Sequence, residues 1–379
     1  MARQDMHRLI RADMARAGAY ASIRPLDVLS ENCGVPAAMI IKLDGNENPY
    51  GCSPRVRRAL ADYSYYNIYP DPKQQNIRKA LEKYVGVSAD RIIAGAGSDE
   101  LIDLVLRLMV DPGDEVINCP PTFGMYSFST DVCSGKVITV PRFSDFSVDI
   151  EGVKRAVTPR TKVIFVASPN NPTGNVTTEK DIRALLELGV LVVADEAYYE
   201  FSGCTSVKLM DRYDNLVVLR TFSKWAGLAG LRVGCGVFPD ALMPHLMKIK
   251  QPYNVNVAAE IALQESLVDV DYLMEIVKTL VHERGHLYRK LQQFDFLQPY
   301  PSQANFILFK VSNGKAKRIH EALCKRGIFL RHFDTPLLKD CLRVSVGKPE
   351  HTEALAFAIE QIVNEDEDAK LTPPKFGSP

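Results

Sequence analysis

The sequence predicts an α/β fold: a large domain built on a mostly parallel sheet sandwiched by helices, with a smaller α+β domain. Three observations lead there. Short β-branched runs alternate with helix-patterned segments through the middle of the chain. Several of those runs are apolar without interruption, as strands buried on both faces must be. The length, 379 residues, exceeds one ordinary domain.

In chain order the expected strands are Ile92–Ala94, Glu115–Asn118, Val137–Val140, Val163–Ala167, Leu191–Ala194, Leu216–Arg220 and Val233–Val237. Between them, Asp99–Val110 carries Leu101, Ile102, Val105, Leu106, Leu108 and Met109 at helical spacing, and Glu179–Leu188 carries Ile182, Leu185, Leu186 and Leu188. From about Asp271 the pattern becomes a long helix, two strand-like runs (Asn305–Val311 and Cys341–Val346) and further helices. The expected division is an N-terminal arm with part of the small domain at 1–55, the large domain at 56–270, the small domain at 271–363, and a flexible tail at 364–379, acidic and then proline-rich.

Composition narrows the function classes. Hydrophobic residues make up 46% and charged residues 24%, which is enough for a sizeable core and argues against disorder. The 46 basic and 46 acidic side chains cancel, so no global field points to nucleic acid or an anionic membrane as partner. The eight cysteines include no CxxC pair and read as reduced, mostly buried thiols of a reducing compartment. No apolar run has the length of a membrane span, and no apolar signal segment opens the chain. Arg3, Arg8, Arg11 and Arg16 against Asp5 and Asp13 faintly suggest an organellar presequence, so the expected location is the cytoplasm, or the plastid stroma if a presequence has been removed.

Four features stand at the ends of expected strands, where open α/β sheets gather ligands. The first is Gly95-Ala96-Gly97-Ser98 running into a helix at Asp99, whose free N–H groups suit a phosphate; alone, the turn reads more readily as a capped helix start. Ser168-Pro169-Asn170-Asn171-Pro172-Thr173-Gly174 is a rigid turn holding an amide at the second strand end. Third comes Asp195-Glu196-Ala197-Tyr198, an acid on a buried strand that needs a cation, either a structural one or a protonated pyridine nitrogen. The fourth is Ser223-Lys224-Trp225 followed by Gly230-Leu231-Arg232, where a lysine among apolar and small residues can serve as an imine-forming amine.

Taken in that order, these segments resemble the active-site frame of the fold-type I, pyridoxal-phosphate-dependent aminotransferases. Over nearly the whole chain the closest resemblance is to their histidinol-phosphate branch, in its plant type. It is carried by Lys42-Leu43-Asp44-Gly45-Asn46-Glu47-Asn48-Pro49-Tyr50, Tyr69-Pro70-Asp71-Pro72, Cys119-Pro120-Pro121-Thr122-Phe123-Gly124-Met125-Tyr126 and Leu342-Arg343-Val344-Ser345-Val346-Gly347. The resemblance implies a cofactor, pyridoxal 5′-phosphate, held as an internal aldimine on Lys224, which also shuttles the proton in ping-pong chemistry. Asp195 would keep the pyridine nitrogen protonated; Tyr198 and Asn171 would bind the ring's phenolic oxygen; Phe123, in place of a more usual tyrosine, would stack on the ring. Gly97, Ser98, Asp99, Ser223 and Arg232 would form the phosphate site, with Tyr69 reaching the phosphate of a partner subunit in a homodimer. Tyr20, Asn46, Tyr69, Asn171, Arg331 and Arg343 would face the substrates, histidinol phosphate and 2-oxoglutarate or glutamate, the two arginines taking carboxylate and phosphate.

Rivals within the same resemblance are a lyase like threonine-phosphate decarboxylase and an aromatic amino acid aminotransferase. A regulatory protein with a degenerate aminotransferase domain would need a DNA-binding module that the sequence does not display. One motif points elsewhere: His282-Glu283-Arg284-Gly285-His286 spells HExxH. Arg289 stands where a metzincin has its glycine, no histidine follows at the metzincin distance, and no glutamate lies in the following stretch that a thermolysin-like site would use. No metal is therefore expected, and the two histidines read as solvated helix residues.

Overall fold

The computed structural model describes residues 6–15, 18–20 and 22–371. Arg3, Asp5, Arg16 and the end of the tail, 372–379, lie outside the described residues. The chain forms two compact units: Met1–Ser22, Tyr50–Lys278 and Ser302–Ala304 in one, and Ile23–Pro49, Thr279–Pro301 and Asn305–Pro379 in the other.

Regular sheet begins with β1 (Ile41–Lys42), which belongs to the second unit. The first unit then contributes β2 (Ile92–Gly95), β3 (Glu115–Asn118), β4 (Lys136–Thr139), β5 (Thr161–Ala167), β6 (Leu191–Asp195), β7 (Leu216–Thr221) and β8 (Gly234–Val237). They form one seven-stranded sheet in the order β2-β8-β7-β6-β5-β3-β4. Only β8 runs antiparallel to its neighbours; β7, β6, β5, β3 and β4 are parallel to one another.

Burial on both faces explains the apolar runs. Ile93, Val163, Phe165, Val193, Val217 and Leu219 all pack on the same side, against Leu101, Ile102, Leu104 and Val105 of the helix Ser98–Met109. With β6 placed between β5 and β7, Asp195 pairs across the sheet with Ala167 and Leu219. The carboxyl ends of these three strands thus come together, and the four segments singled out in the sequence follow or flank them.

The second unit has β9 (Leu297–Pro299), β10 (Phe306–Val311), β11 (Ile328–Phe329), β12 (Arg331–His332) and β13 (Cys341–Ser345). Its four-stranded antiparallel sheet has the order β12-β13-β10-β9, while β1 pairs with β11 in parallel. The last helix runs Pro349–Leu371, so regular structure continues beyond Val363. Of the cysteines only Cys119, Cys235 and Cys341 are buried, fewer than the sequence reading expected; Cys204 is exposed and the other four are half-buried, because they sit at helix ends and turns rather than inside the sheet.

Candidate active site

In the first unit, the end of β6 sets the electrostatics. Asp195 is 4% exposed, accepts a hydrogen bond from the Tyr126 hydroxyl at 2.6 Å and another from the Ala197 N–H at 3.1 Å. Burial pushes its carboxyl up to about 6, against the pull of those two donors. An acid kept in that state, with room for a further hydrogen bond, fits a protonated ring nitrogen. Tyr198, 5% exposed, follows at the start of the short helix Tyr199–Ser202.

An anion cradle forms beside it. Gly97 caps the helix Ser98–Met109 at φ 81°, a left-handed value that favours glycine, and a Cβ there would stand 2.5 Å from the Arg232 guanidinium. Arg232 donates to Asp99 at 3.0 Å and reaches Ser223 Oγ at 3.4 Å. Backbone N–H groups at a helix start, a hydroxyl and a guanidinium converge here, the donor set that a phosphate monoester requires. Gly227 is the second glycine with a steric reason: its φ is 68° and a side chain would overlap the Gly51 carbonyl, so the turn carrying Lys224 packs directly on backbone.

Lys224 is half-buried between Ser223 (5% exposed) and the fully buried Trp225. Phe123 lies edge-on to Tyr126, centroids 5.6 Å apart, and to Tyr20 at 6.3 Å. Asn171 is half-buried in the turn after β5. Its neighbour Asn170 is fully buried and structural, donating to Pro121 O and Thr173 Oγ1 while accepting from Thr122 and Arg142. Tyr69 is 77% exposed and stacks on Tyr253 at 4.5 Å.

In the second unit, Arg331 and Arg343 are direct cross-strand partners in the β12–β13 pair, so their side chains leave the same face of that sheet. Arg343 is 6% exposed, donates to Asp44 O at 2.6 Å and lies over the Phe306 ring. Asn46, at φ 54°, is locked to Ser345: its N–H donates to Ser345 Oγ at 2.8 Å, and that hydroxyl lies 3.1 Å from Asn46 Oδ1.

The HExxH segment lies on the helix Val270–Leu291, which continues unbroken through Gly285. His282 is exposed, but His286 is not a solvated helix residue. It sits between Glu283 at 3.2 Å and Glu353 at 3.3 Å, and buried Glu283 also accepts from Thr352 at 2.5 Å. The pattern is a bridge to the last helix, and among the described residues no group of His, Cys, Asp or Glu is arranged to hold a metal.

Sequence reasoning missed Tyr126, although it stands in the quoted Phe123-Gly124-Met125-Tyr126 segment; a buried acid on β6 called for a donor, and that tyrosine supplies one. It also passed over Glu196, Glu200, Arg220 and Tyr84. The signal was present: Asp195 ends β6 with Glu196 directly after it, and Arg220 is the one charged residue of β7.

Comparison with known proteins agrees with this frame. The model of aminotransferase class I and II matches residues 38–359. Histidinol-phosphate aminotransferase of Dehalococcoides mccartyi is 52% identical over 359 residues, covering 94% of this chain and 99% of that protein. The chloroplastic histidinol-phosphate aminotransferase 1 of Arabidopsis thaliana is 46% identical, covering 93% and 85%. Among solved structures, histidinol-phosphate aminotransferase from Sinorhizobium meliloti in complex with pyridoxal-5′-phosphate superposes with a TM-score of 0.86 at 25% identity, covering 94% and 98%. The chain belongs to the class I and II aminotransferase family and, within it, to the histidinol-phosphate aminotransferases.

Proposed function

We infer that this enzyme moves the amino group between L-histidinol phosphate and 2-oxoglutarate, giving imidazole acetol phosphate and L-glutamate in histidine biosynthesis. The observation that carries this is identity of about half the residues with histidinol-phosphate aminotransferases along nearly the whole chain. The cofactor is pyridoxal 5′-phosphate. When bound, it supplies an aldehyde for amine exchange and a pyridinium ring that draws electrons from the substrate carbon.

The chain's own residues do the rest. Lys224 Nζ would hold the cofactor and, once freed by the incoming amine, would carry the proton between the substrate carbon and the cofactor. Asp195, fixed by Tyr126, keeps its negative charge against the ring N–H. The N–H groups of Ser98 and Asp99 with Ser223 and Arg232 hold the phosphate; Gly97 leaves room for them. Tyr198 and Asn171 donate to the phenolic oxygen, and Phe123 covers the ring face. Arg343 binds the carboxylate of glutamate or 2-oxoglutarate and Arg331 helps hold the phosphate of histidinol phosphate, and the resemblance makes Tyr20 and Asn46 substrate-facing residues as well. Two planar cations side by side let one site accept two different dianions in turn.

A homodimer completes the site in this reading. Tyr69 stands among exposed Tyr65, Tyr66, Ile68 and Tyr253, an apolar and aromatic surface suited to a second copy, and its hydroxyl is the group that would reach the other copy's phosphate. No helix among the described residues is long and apolar enough to cross a membrane. The free thiols suit a reducing compartment, the cytoplasm or, in a plant cell, the plastid stroma.

The test is a half-reaction panel read from the cofactor's absorbance. L-Histidinol phosphate should convert the spectrum fastest and 2-oxoglutarate should restore it. Release of carbon dioxide from an amino-acid phosphate with no need for 2-oxoglutarate would replace the transferase reading by a lyase.

A further inference from the structure

Four polar side chains of the first unit, three of them buried, take no part in the chemistry just described: Glu196 (1% exposed), Arg220 (3%), Glu200 (8%) and the half-buried Tyr84. Arg220 alternates away from the face that carries Leu219. Its guanidinium lies 3.2 Å from Glu196, donates to Thr205 Oγ1 at 2.9 Å and covers the Tyr199 ring at 3.6 Å. The Tyr84 hydroxyl donates to Glu200, and the Tyr84 ring stacks on Trp225 with centroids 5.5 Å apart and planes within 12°.

Each member adjoins a residue that we place on the cofactor. Glu196 follows Asp195, Glu200 belongs to the short helix after Tyr198, Arg220 is on the strand that leads into Ser223, and Trp225 follows Lys224. The backbone closes the same path, with the Glu196 N–H donating to Leu219 O at 2.8 Å. We propose that this circuit, Glu196 with Arg220 on one side and Glu200, Tyr84 and Trp225 on the other, sets the spacing between the acid and the amine of the active site. Tyr84, Glu196, Glu200 and Arg220 are positioning residues for Lys224.

Energetics favour a positioning role. A buried ion pair adds little net stability against an apolar replacement, whereas its directional bonds define one geometry. Arg220 pairs directly with Glu196 and acts on Glu200 only through its charge, and burial pushes Glu200 up to about 7 despite Arg220 and the Tyr84 hydrogen bond, with Glu196 adding to the rise. The other titratable group facing it is the Cys235 thiol, itself pushed up to about 12 by burial. Glu200 thus accepts from Tyr84 without requiring a full second charge in the core.

The inference rests on Lys224 being the cofactor-bearing amine, and the experiment separates the two. Wild type, Tyr84→Phe, Glu200→Gln, Glu200→Ala and a distant core control, Ile182→Ala, are loaded with pyridoxal phosphate. The pH titration of the absorbance of the Lys224-bound chromophore is measured beside Tm, kinetics and the emission of Trp225, the chain's single tryptophan.

Tyr84→Phe keeps the ring stack and loses only the donor. It should move the titration midpoint by about 0.5 pH unit or more and lower kcat about tenfold with KM within about twofold, the signature of a misplaced reacting group. Glu200→Ala should move it in the same way, and Glu200→Gln, which keeps an acceptor, should stay near wild type. Ile182→Ala should lower Tm and leave the midpoint in place. Unchanged midpoints and Trp225 emission in Tyr84→Phe and Glu200→Ala, with activity falling only in step with Tm, would overturn the proposal. If Glu200→Ala does not fold, Tyr84→Phe alone decides. Wild-type protein with no chromophore on Lys224 would remove the underlying site reading, before any variant is compared.

Discussion

Asp195 shows how a single environment serves both folding and chemistry. Its carboxyl rises from 3.8 to about 6 through burial, so the folded cofactor-free protein holds a proton that the unfolded chain releases. The sign follows: the stabilisation is complete below pH 3.8 and is lost as pH rises through about 6, a change of roughly 3 kcal/mol at this one group. Thermal melts of the cofactor-free protein should show Asp195→Asn flattening the pH dependence in that window; an unchanged slope would assign it to other groups. Glu200 acts in the same direction, extending to about 7. Removing the Tyr126 hydroxyl takes one donor from the acid that we propose pairs with the cofactor ring, so Tyr126→Phe should weaken pyridoxal phosphate binding about tenfold, the equivalent of about 1.4 kcal/mol. Equilibrium titration of the cofactor measures it. Asp195 stood out in the sequence because an acid is expensive at a buried strand end, and Lys224 because it follows a buried strand among apolar and small residues; Tyr126 did not, because a tyrosine in a helix reads as core until its hydroxyl is shown to have a partner.

Strand ends and helix starts carry the site, and their legibility differs with length. The central strands β5, β6 and β7 announce themselves through long apolar runs that are buried along nearly their whole length, whereas the edge strand β4, Lys136–Thr139, is exposed at both ends and shows only a two-residue apolar core. The two-residue strands β1, β11 and β12 are too short to display any period, so the pairing that sets Arg331 opposite Arg343 could not be read from spacing. In the proposed function that pairing offers two neighbouring guanidinium groups to anionic substrates. Arg343→Lys keeps the charge but loses the planar fork, and steady-state kinetics should show KM for both 2-oxoglutarate and glutamate rising about tenfold; an effect confined to kcat would place Arg343 elsewhere in the reaction. At the phosphate cradle, Gly97→Ala meets the Arg232 guanidinium at a left-handed φ. The fold should survive, because the clash is with the end of a flexible side chain, while cofactor affinity should drop about tenfold or more.

At the scale of the whole molecule, the sequence reading put an N-terminal arm and part of the small domain at 1–55, and the chain divides that stretch, with Met1–Ser22 in the first unit and Ile23–Pro49 in the second. The structure supplies the reason in the second unit: β1 pairs with β11, joining Ile41 to Ile328, a long-range contact that no local pattern encodes. The exposed group around Tyr69 extends the account beyond one chain. Mixing Lys224→Ala with Tyr69→Phe subunits, each nearly inactive, should restore part of the activity through heterodimers carrying one intact site; no recovery at any mixing ratio would count against shared sites. Everything else depends on one covalent bond. Reduction of the loaded enzyme with borohydride, followed by peptide mass mapping, should find a single pyridoxyl label on Lys224 and none in Lys224→Ala, whereas an unlabelled Lys224 or a label on another lysine would contradict the account.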